Sequence, residues 1–128
     1  MARFAHAYPD FELRRNYKHA PVDFHIVNRR TKRLVGWMEL KTRQFASTDR
    51  ATVYLSWQKY VNLRQWSEWS GLMSYYAVQL DDAMFAIRLD AVSPHGKLVL
   101  AGRHDRPNDP FAQEPIIEVA LSTMQRID

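Results

Sequence analysis

Apolar and polar residues alternate along the chain with periods that predict a definite order of strands and helices. Two runs rich in β-branched and aromatic residues, 22–28 (VDFHIVN) and 34–42 (LVGWMELKT), flank the polar residues 30–32 and predict a β-hairpin. Four later runs of similar character predict further strands, the first two around an Asp-Asp turn: 72–80, 84–89, 97–100 and 116–120.

Two other segments carry the signals of helices. Residues 9–18 (PDFELRRNYK) predict a short helix, because proline suits a first turn and acidic residues favour the positive end of the helix dipole. Residues 56–70 predict a longer helix that begins at the N-cap residue Ser56 and ends before Gly71. Residues 43–54 and 102–115 lack a clear period, and we expect both to be loops.

The predicted order places the helix at 56–70 between the strands at 34–42 and 72–80. Such a crossover is normally right-handed and makes the two strands parallel, so we expect an α/β fold with a mixed β-sheet flanked by helices. With 128 residues, the chain has the length of one domain. We therefore expect a single domain over 1–128, with a core at about 9–90 and a C-terminal extension at about 91–128.

Composition removes several classes of protein. The chain has no cysteine, which excludes disulfides, thiol nucleophiles and cysteine-bound metals, so a metal ion would need oxygen or imidazole ligands. No apolar run has the length of a membrane helix, and the first residues lack the apolar run of a signal peptide. We expect an intracellular, cytoplasmic protein with no membrane partner.

Charge is distributed unevenly along the chain. Residues 1–64 contain 13 Lys and Arg against 5 Asp and Glu, whereas residues 65–128 contain 5 against 9. A basic surface suggests a polyanion such as nucleic acid, although a basic turn can also be simply solvated. The candidate phosphate-binding residues lie at the hairpin tip and in the following loop: Arg29, Arg30, Lys32, Arg33, Arg43 and Arg50. The four tryptophans, Trp37, Trp57, Trp66 and Trp69, are candidates for base stacking, for the core or for a dimer interface.

The candidate chemistry lies on the predicted hairpin. Glu39 and Lys41 share one face of their strand, and a hairpin symmetric about Thr31 places Asp23 directly opposite Glu39, with Cβ atoms about 5 Å apart. Two facing carboxylates repel each other unless a cation lies between them. A hard divalent ion, Mg²⁺ or Mn²⁺, could be held by both carboxylates and the backbone carbonyl of Leu40. Lys41 could then position an attacking water or neutralise charge on a phosphate.

Taken singly, these residues are also compatible with an ordinary solvated strand, and the short motif gains weight only from its context. The run Pro21-Val22-Asp23, the 15 intervening residues and Glu39-Leu40-Lys41 resemble the signature of the PD-(D/E)XK nuclease superfamily. The resemblance covers roughly residues 9–90 and is closest to compact phage-type nucleases and Holliday-junction resolvases.

The resemblance implies a restriction-endonuclease-like αβ(β)βαβ core and metal-dependent phosphodiester hydrolysis. Asp23 and Glu39 would be the metal ligands and Lys41 the catalytic lysine. It also suggests accessory roles for Glu12 on the first helix and for Gln58 or Lys59 on the following helix. His25 shares the strand face of Asp23 and is a further candidate for contacting water or phosphate.

The leading hypothesis is therefore a Mg²⁺- or Mn²⁺-dependent endonuclease acting on DNA, with structured or branched DNA among the candidate substrates and RNA left open. A homodimer is plausible, because paired sites cut two strands. The alternatives are a nucleic-acid-binding module without catalysis, and a structural or assembly protein with a nuclease-like fold. Metal-dependent cleavage distinguishes the first hypothesis from the other two.

Overall fold

The computed structural model describes residues 2–101 and 114–127. In this part of the chain the strands and helices follow one another in the order α1 (Ala2–Ala7), β1 (Phe11–Arg15), β2 (Phe24–Asn28), β3 (Leu34–Thr42), β4 (Thr52–Ser56), α2 (Trp57–Ser70), β5 (Met73–Gln79), β6 (Met84–Arg88), α3 (Leu89–His95), β7 (Lys97–Ala101), β8 (Glu114–Ala120), a 3₁₀ turn (Leu121–Thr123) and β9 (Gln125–Ile127). None of the described helices is long and apolar enough to cross a membrane.

The strands form two sheets. The larger has the order β1-β2-β3-β5-β6-β9, and the smaller has the order β4-β8-β7. Within the larger sheet β3 and β5 are parallel, joined through β4 and α2, while the other neighbours are antiparallel. The predicted mixed sheet with a helical crossover between residues 42 and 73 is therefore confirmed.

Apolar side chains pack on both faces of the larger sheet. One cluster fills the space between this sheet, α2, α3 and the smaller sheet; its fully buried members include Leu55, Leu63, Tyr76, Val78, Val92 and Val119. A second cluster lies on the opposite face beneath α1 and includes Phe4, Phe24, Ile26, Met38, Ala77 and Met84. Alternation along β3 directs Met38 and Leu40 to the second cluster, which leaves Trp37, Glu39 and Lys41 on the α2 face.

The predicted helix at 9–18 is wrong. Residues 11–15 form β1, which pairs antiparallel with β2, and the first helix lies earlier at Ala2–Ala7. The physical reason is the period of two in this segment. Phe11 and Leu13 pack against the second apolar cluster, while Glu12 and Arg14 point to the other face.

The structure describes all of the predicted loop at 43–54 but only the last two residues of the one at 102–115. Residues 43–51 form neither helix nor strand, but Thr52–Ser56 form β4, which continues into α2 without a connecting residue. Val53 and Leu55 are buried, so this strand is held by tertiary packing. In the loop predicted at 102–115, residues 102–113 lie outside the described residues, and Glu114 and Pro115 begin β8.

The hairpin has the predicted register from Phe24 to Ile26, which is the part next to the acidic residues. Phe24 lies opposite Met38, which is symmetric about Thr31, and the pairing shifts at a β-bulge between Ile26 and Val27. At the tip, Lys32 adopts a left-handed conformation with φ of 63°. The helix α2 also ends as expected, with Gly71 in the left-handed conformation.

Gly36 is required where β3 meets β5. A Cβ atom at this position would lie 2.8 Å from the backbone oxygen of Met73, so the two strands would have to separate. We expect Gly36→Ala to lower the free energy of unfolding by about 2 kcal/mol in urea denaturation. Gly71→Ala is the matched control, because a Cβ atom there meets nothing within 4 Å and only the left-handed backbone is disfavoured, at about 1 kcal/mol. Equal effects of the two changes would contradict the close-approach argument.

Candidate active site

The hairpin brings the two predicted acidic residues together on the α2 face of the larger sheet. Asp23 immediately precedes β2, and the register of Phe24 with Met38 places it opposite Glu39. The side chain of Asp23 is 32% exposed, whereas that of Glu39 is 3% exposed. The pair therefore consists of one carboxylate open to solvent and one almost completely buried.

Burial is the largest influence on the pKa of Glu39. It raises the pKa of Glu39 to about 7, and the negative charge of Asp23 adds to this effect, while Lys59 and Lys41 oppose it. The Oε2 atom of Glu39 is buried without a hydrogen-bond partner. A carboxylate oxygen without a partner in a folded interior is costly. A proton shared with Asp23, which contributes to the raised pKa of Glu39, or a bound cation would satisfy it.

Lys59, in the first turn of α2, forms an ion pair with both acids. Its Nζ lies 3.5 Å from Oδ1 of Asp23 and 3.7 Å from Oε1 of Glu39. Of the two accessory candidates on this helix, the structure thus brings Lys59 into the site. Gln58 is exposed and donates instead to Asn62 along the helix, so it is not brought to the acidic pair.

Lys41 lies two residues beyond Glu39 on the same strand face and is half-buried. Burial lowers the pKa of Lys41, the positive charge of Arg43 lowers it further, and the negative charges of Glu39 and Glu114 raise it. The predicted arrangement of two carboxylates and a lysine on one face is therefore present, although the catalytic roles of its members stay predictions.

Side chains at the ends of β1 and β2 and within β3 and β5 form a row across the sheet at the level of the acidic pair. Asn16 follows β1, and its backbone N–H donates to the carbonyl of Asp23, while Tyr76 on β5 is in register with Glu39. The Tyr76 hydroxyl donates to the carbonyl of Tyr54 at 2.6 Å, which ties β5 to the strand that leads into α2. Burial raises the pKa of Tyr76 and keeps its hydroxyl protonated. No local sequence pattern distinguishes Asn16 or Tyr76, because only strand pairing brings them to the site.

His25 lies in the next row, opposite Arg14 on β1 and Trp37 on β3. The Asn16 side chain donates through Nδ2 to the carbonyl of Val22, which turns its Oδ1 towards His25 Nδ1 at 2.6 Å. His25 therefore donates through Nδ1. Burial and the charge of Arg14 lower its pKa, which favours the neutral ring.

The resemblance implied that Glu12 lies on the first helix, but the structure places it on the edge strand β1. It is paired in register with Val27, four residues along β2 from Asp23, and accepts a hydrogen bond from Arg14 at 3.2 Å. That bond is the main cause of its lowered pKa, and Arg29 and Lys32 also contribute. Glu12 therefore lies towards the hairpin tip, away from the acidic pair.

The predicted phosphate-binding residues lie in two separate places. Five residues of β3, about 17 Å, separate the acidic pair from the tip that carries four of them in exposed positions: Arg29, Arg30, Lys32 and Arg33. Arg43 follows β3 and lies close enough to Lys41 to influence its pKa. The Arg50 guanidinium lies over the ring of Phe45 at 5.0 Å.

The residues present fit a hard divalent cation. Across the described residues there is no group of three or more His, Cys, Asp and Glu side chains able to hold a metal. Two carboxylates, one with an unpartnered buried oxygen, suit an ion such as Mg²⁺, which commonly takes one or two protein carboxylates and completes its shell with water and phosphate oxygens. The backbone carbonyl of Leu40, between Glu39 and Lys41, stays a predicted third ligand.

Over residues 1–127 the chain matches the family described as "Phage putative PDDEXK endonuclease". A comparison with curated proteins finds no match. Among solved structures, the chain is similar to Hjc of Archaeoglobus fulgidus, a Holliday junction resolvase from an archaeal hyperthermophile. The TM-score is 0.60 at 17% sequence identity, and the match covers 97% of this chain and 84% of that chain.

The structural similarity supports the predicted restriction-endonuclease-like α/β fold. The family match supports the nuclease class that the motif at Asp23, Glu39 and Lys41 predicts. Because that match spans nearly the whole sequence, the chain belongs to the phage PDDEXK endonuclease family.

Proposed function

We propose that this protein is a divalent-metal-dependent endonuclease that hydrolyses phosphodiester bonds in branched DNA. The observation that carries the proposal is the buried carboxylate of Glu39, which has an unpartnered oxygen and faces Asp23 on the adjoining strand. Asp23, Glu39 and the Leu40 carbonyl would hold Mg²⁺ or Mn²⁺. When bound, such a cation offsets the charge of the phosphate and favours a nucleophilic water at neutral pH.

The two lysines have different proposed roles. Lys41 is half-buried beside Glu39, and its ammonium group would orient the attacking water or neutralise charge that develops on the phosphate. Lys59 offsets the charge of both acids in the metal-free protein. Its position in the first turn of α2, where backbone N–H groups favour anions, would let it bind a phosphate oxygen of the substrate.

The choice of branched DNA rests on two kinds of support. The family is one of endonucleases, and the structurally similar Hjc is a Holliday junction resolvase. In addition, the basic tip and the acidic pair lie about 17 Å apart along β3, so one molecule could contact a phosphate backbone well away from the cut.

We further propose that residues 1–128 form one nuclease domain, and that two copies act together, since cutting two strands of a junction needs two sites. Because the family is named for phages and the proposed substrate is DNA, the proposed place of action is the cytoplasm of the host.

Cleavage assays test the proposed function directly. Purified protein is incubated with supercoiled plasmid, linear duplex, single strands and a synthetic four-way junction, each with Mg²⁺, Mn²⁺ or EDTA. We expect cleavage of the junction that requires the metal and is lost in Lys41→Ala. Lys97→Ala is the matched control, because Lys97 is exposed on β7 in the smaller sheet and should leave cleavage unchanged.

Each other outcome supports a different function. Binding without cleavage in every metal would indicate a nucleic-acid-binding module. Neither binding nor cleavage would favour a structural protein with a nuclease fold. Cleavage of the junction and the unbranched duplexes at equal rates would support a nuclease but would contradict the proposed preference for branched DNA.

A further inference from the structure

A cleft lined by tryptophans lies on the α2 face of the larger sheet. It has a volume of about 420 Å³ and is lined by Trp37, Gln65, Trp66, Trp69 and Ser70. The Trp37 and Trp66 rings meet edge to face, with centroids 4.8 Å apart at an angle of 78°. Trp37 Nε1 also donates to Ser70 Oγ at 2.9 Å. Two walls of the cleft are therefore fixed by packing and a hydrogen bond.

Trp69 differs from the other tryptophans in its exposure. Its side chain is 92% exposed, whereas Trp37 and Trp66 pack against the apolar cluster between the larger sheet and α2. An indole is the largest apolar surface that a residue can offer, and in this position it contributes little to the core. A ring that is exposed beside a preformed cleft is available to a ligand.

One wall of the cleft, Trp37, lies near the acidic pair, whereas Trp69 is ten residues, or about 15 Å, along α2 from Lys59. Trp37 is two residues from Glu39 on the same face of β3, which corresponds to about 7 Å. On the other side, β3 begins three residues before Trp37, directly after the basic hairpin tip. The cleft therefore lies along the path from the proposed cleavage site to the proposed phosphate-binding residues.

The lining chemistry selects the kind of occupant. No residue that lines the cleft is charged. The Ser70 hydroxyl donates to the Trp66 carbonyl and accepts from Trp37 Nε1, so the Gln65 amide is the polar lining group that faces a ligand with its hydrogen bonds unused. Indole faces beside a neutral amide suit a flat, uncharged aromatic ring with polar edges. Positive charge lies nearby but outside the cleft, on Arg14, which is in the same row as His25 and Trp37, and on the tip, where a phosphate backbone would be bound.

We propose that this cleft binds one unstacked base of the DNA strand that is being cut, with Trp69 stacking on the base. The inference rests on the proposed nuclease function and adds to it a source of substrate selection. A base in continuous duplex is already stacked and paired, whereas a base at a branch point leaves its stack at lower cost. Stacking in this cleft therefore favours branched DNA over intact duplex without reading the sequence.

The test compares Trp69→Ala with wild type on two DNA probes in EDTA, where cleavage is not expected. One probe is a branched DNA with a single unpaired 2-aminopurine at the branch, and the other is a fully paired duplex of equal length. We expect Trp69→Ala to weaken binding of the branched probe about tenfold and to relieve the quenching of 2-aminopurine fluorescence. Binding of the duplex and the slope of affinity against salt should not change, because no phosphate contact is lost.

Two further variants control for general effects. Trp69→Phe keeps an aromatic face and should keep most of the affinity for the branched probe. Leu98→Ala removes a different exposed apolar side chain, 59% exposed on β7, and should match wild type on both probes.

Three results would overturn the inference. The first is equal binding of the branched probe by Trp69→Ala and wild type. The second is an equal loss on both probes, which would indicate a nonspecific effect. The third is a lower oligomeric mass of Trp69→Ala in light scattering, which would show that a second copy of the chain covers the cleft. If wild type cuts the junction with Mg²⁺ while any of these holds, the stacking inference fails alone; if wild type neither binds nor cuts DNA, the proposed function fails as well.

Discussion

Glu39→Gln is expected to reduce metal-supported cleavage of DNA by about 10³-fold or more. The amide preserves the size of the buried side chain but removes the negative charge that we propose as a metal ligand. Cleavage of the four-way junction at saturating Mg²⁺ measures the effect. Because the variant keeps the packing of Glu39, circular dichroism should show a folded protein.

Glu12→Gln is the matched control for this experiment. Glu12 is also a carboxylate on the α2 face, but it lies on the edge strand β1 and is bonded to Arg14. We expect its cleavage rate to remain within about twofold of wild type, since an exposed surface pair contributes little. A large loss in Glu12→Gln together with an active Glu39→Gln would contradict the assignment of the acidic pair.

The same residue is expected to make stability depend strongly on pH in the absence of metal. The pKa of Glu39 is about 7 in the folded protein and 4.5 for the free side chain, so the folded protein binds this proton more tightly. The resulting stabilisation is fully present below pH 4.5 and is lost as the pH rises through about 7. We expect this group alone to lower the free energy of unfolding by about 3 kcal/mol across that interval.

Urea denaturation of wild type and Glu39→Gln in EDTA at pH 5 and pH 8 isolates this contribution. Other groups titrate in both proteins, so the difference between the two proteins is the quantity to measure. We expect Glu39→Gln to gain about 3 kcal/mol relative to wild type on going from pH 5 to pH 8. A difference that is the same at both pH values would contradict the raised pKa.

Addition of Mg²⁺ at pH 8 provides an independent readout. A cation that binds the ionised carboxylates stabilises the folded protein by mass action. The Tm of wild type should therefore rise with the Mg²⁺ concentration, and that of Glu39→Gln should rise less. Equal shifts in the two proteins would count against Glu39 as a ligand.

The part of the fold that could be predicted from the sequence is the part with strong local signals. The hairpin has alternating runs on either side of an odd polar turn, and this symmetry alone places Asp23 opposite Glu39. Ser56 and Gly71 predict the helix α2 at 56–70, which agrees with the observed Trp57–Ser70; Ser56 is the N-cap residue, although its side chain makes no capping hydrogen bond. A parallel arrangement of the flanking strands then follows from the crossover.

The remainder depends on tertiary contacts that no local pattern encodes. The five residues of β1 are too few to show their period clearly beside helix-favouring Pro9 and Asp10, and pairing with β2 decides their conformation. Similarly, β9 has three residues and exists because it completes the edge of the larger sheet beside β6. Short elements of this kind are selected by their neighbours.

The site shows the same division. Asp23, Glu39 and Lys41 could be found because their positions on one hairpin fix which way they point. Between Gln58 and Lys59, however, the choice depends on the rotation of α2 about its own axis against the sheet, and the structure brings Lys59 to the acids. Asn16 and Tyr76 come from strands on either side of the hairpin, so their proximity is a property of the assembled sheet.

The β-bulge between Ile26 and Val27 marks the boundary between two parts of the hairpin. On one side of the bulge, Phe24 and Met38 are buried in the second apolar cluster, and a shift by one residue would turn both of them out of it. On the other side lies the tip, whose residues 29–33 are exposed. Because the backbone N–H of Arg29 donates to the carbonyl of Asp10, we expect an insertion to be tolerated within 30–32, where it would leave the pairing of Phe24 with Met38 unchanged. The tip is thus a position where related chains could differ in length and charge while they retain the pairing that places Asp23 opposite Glu39.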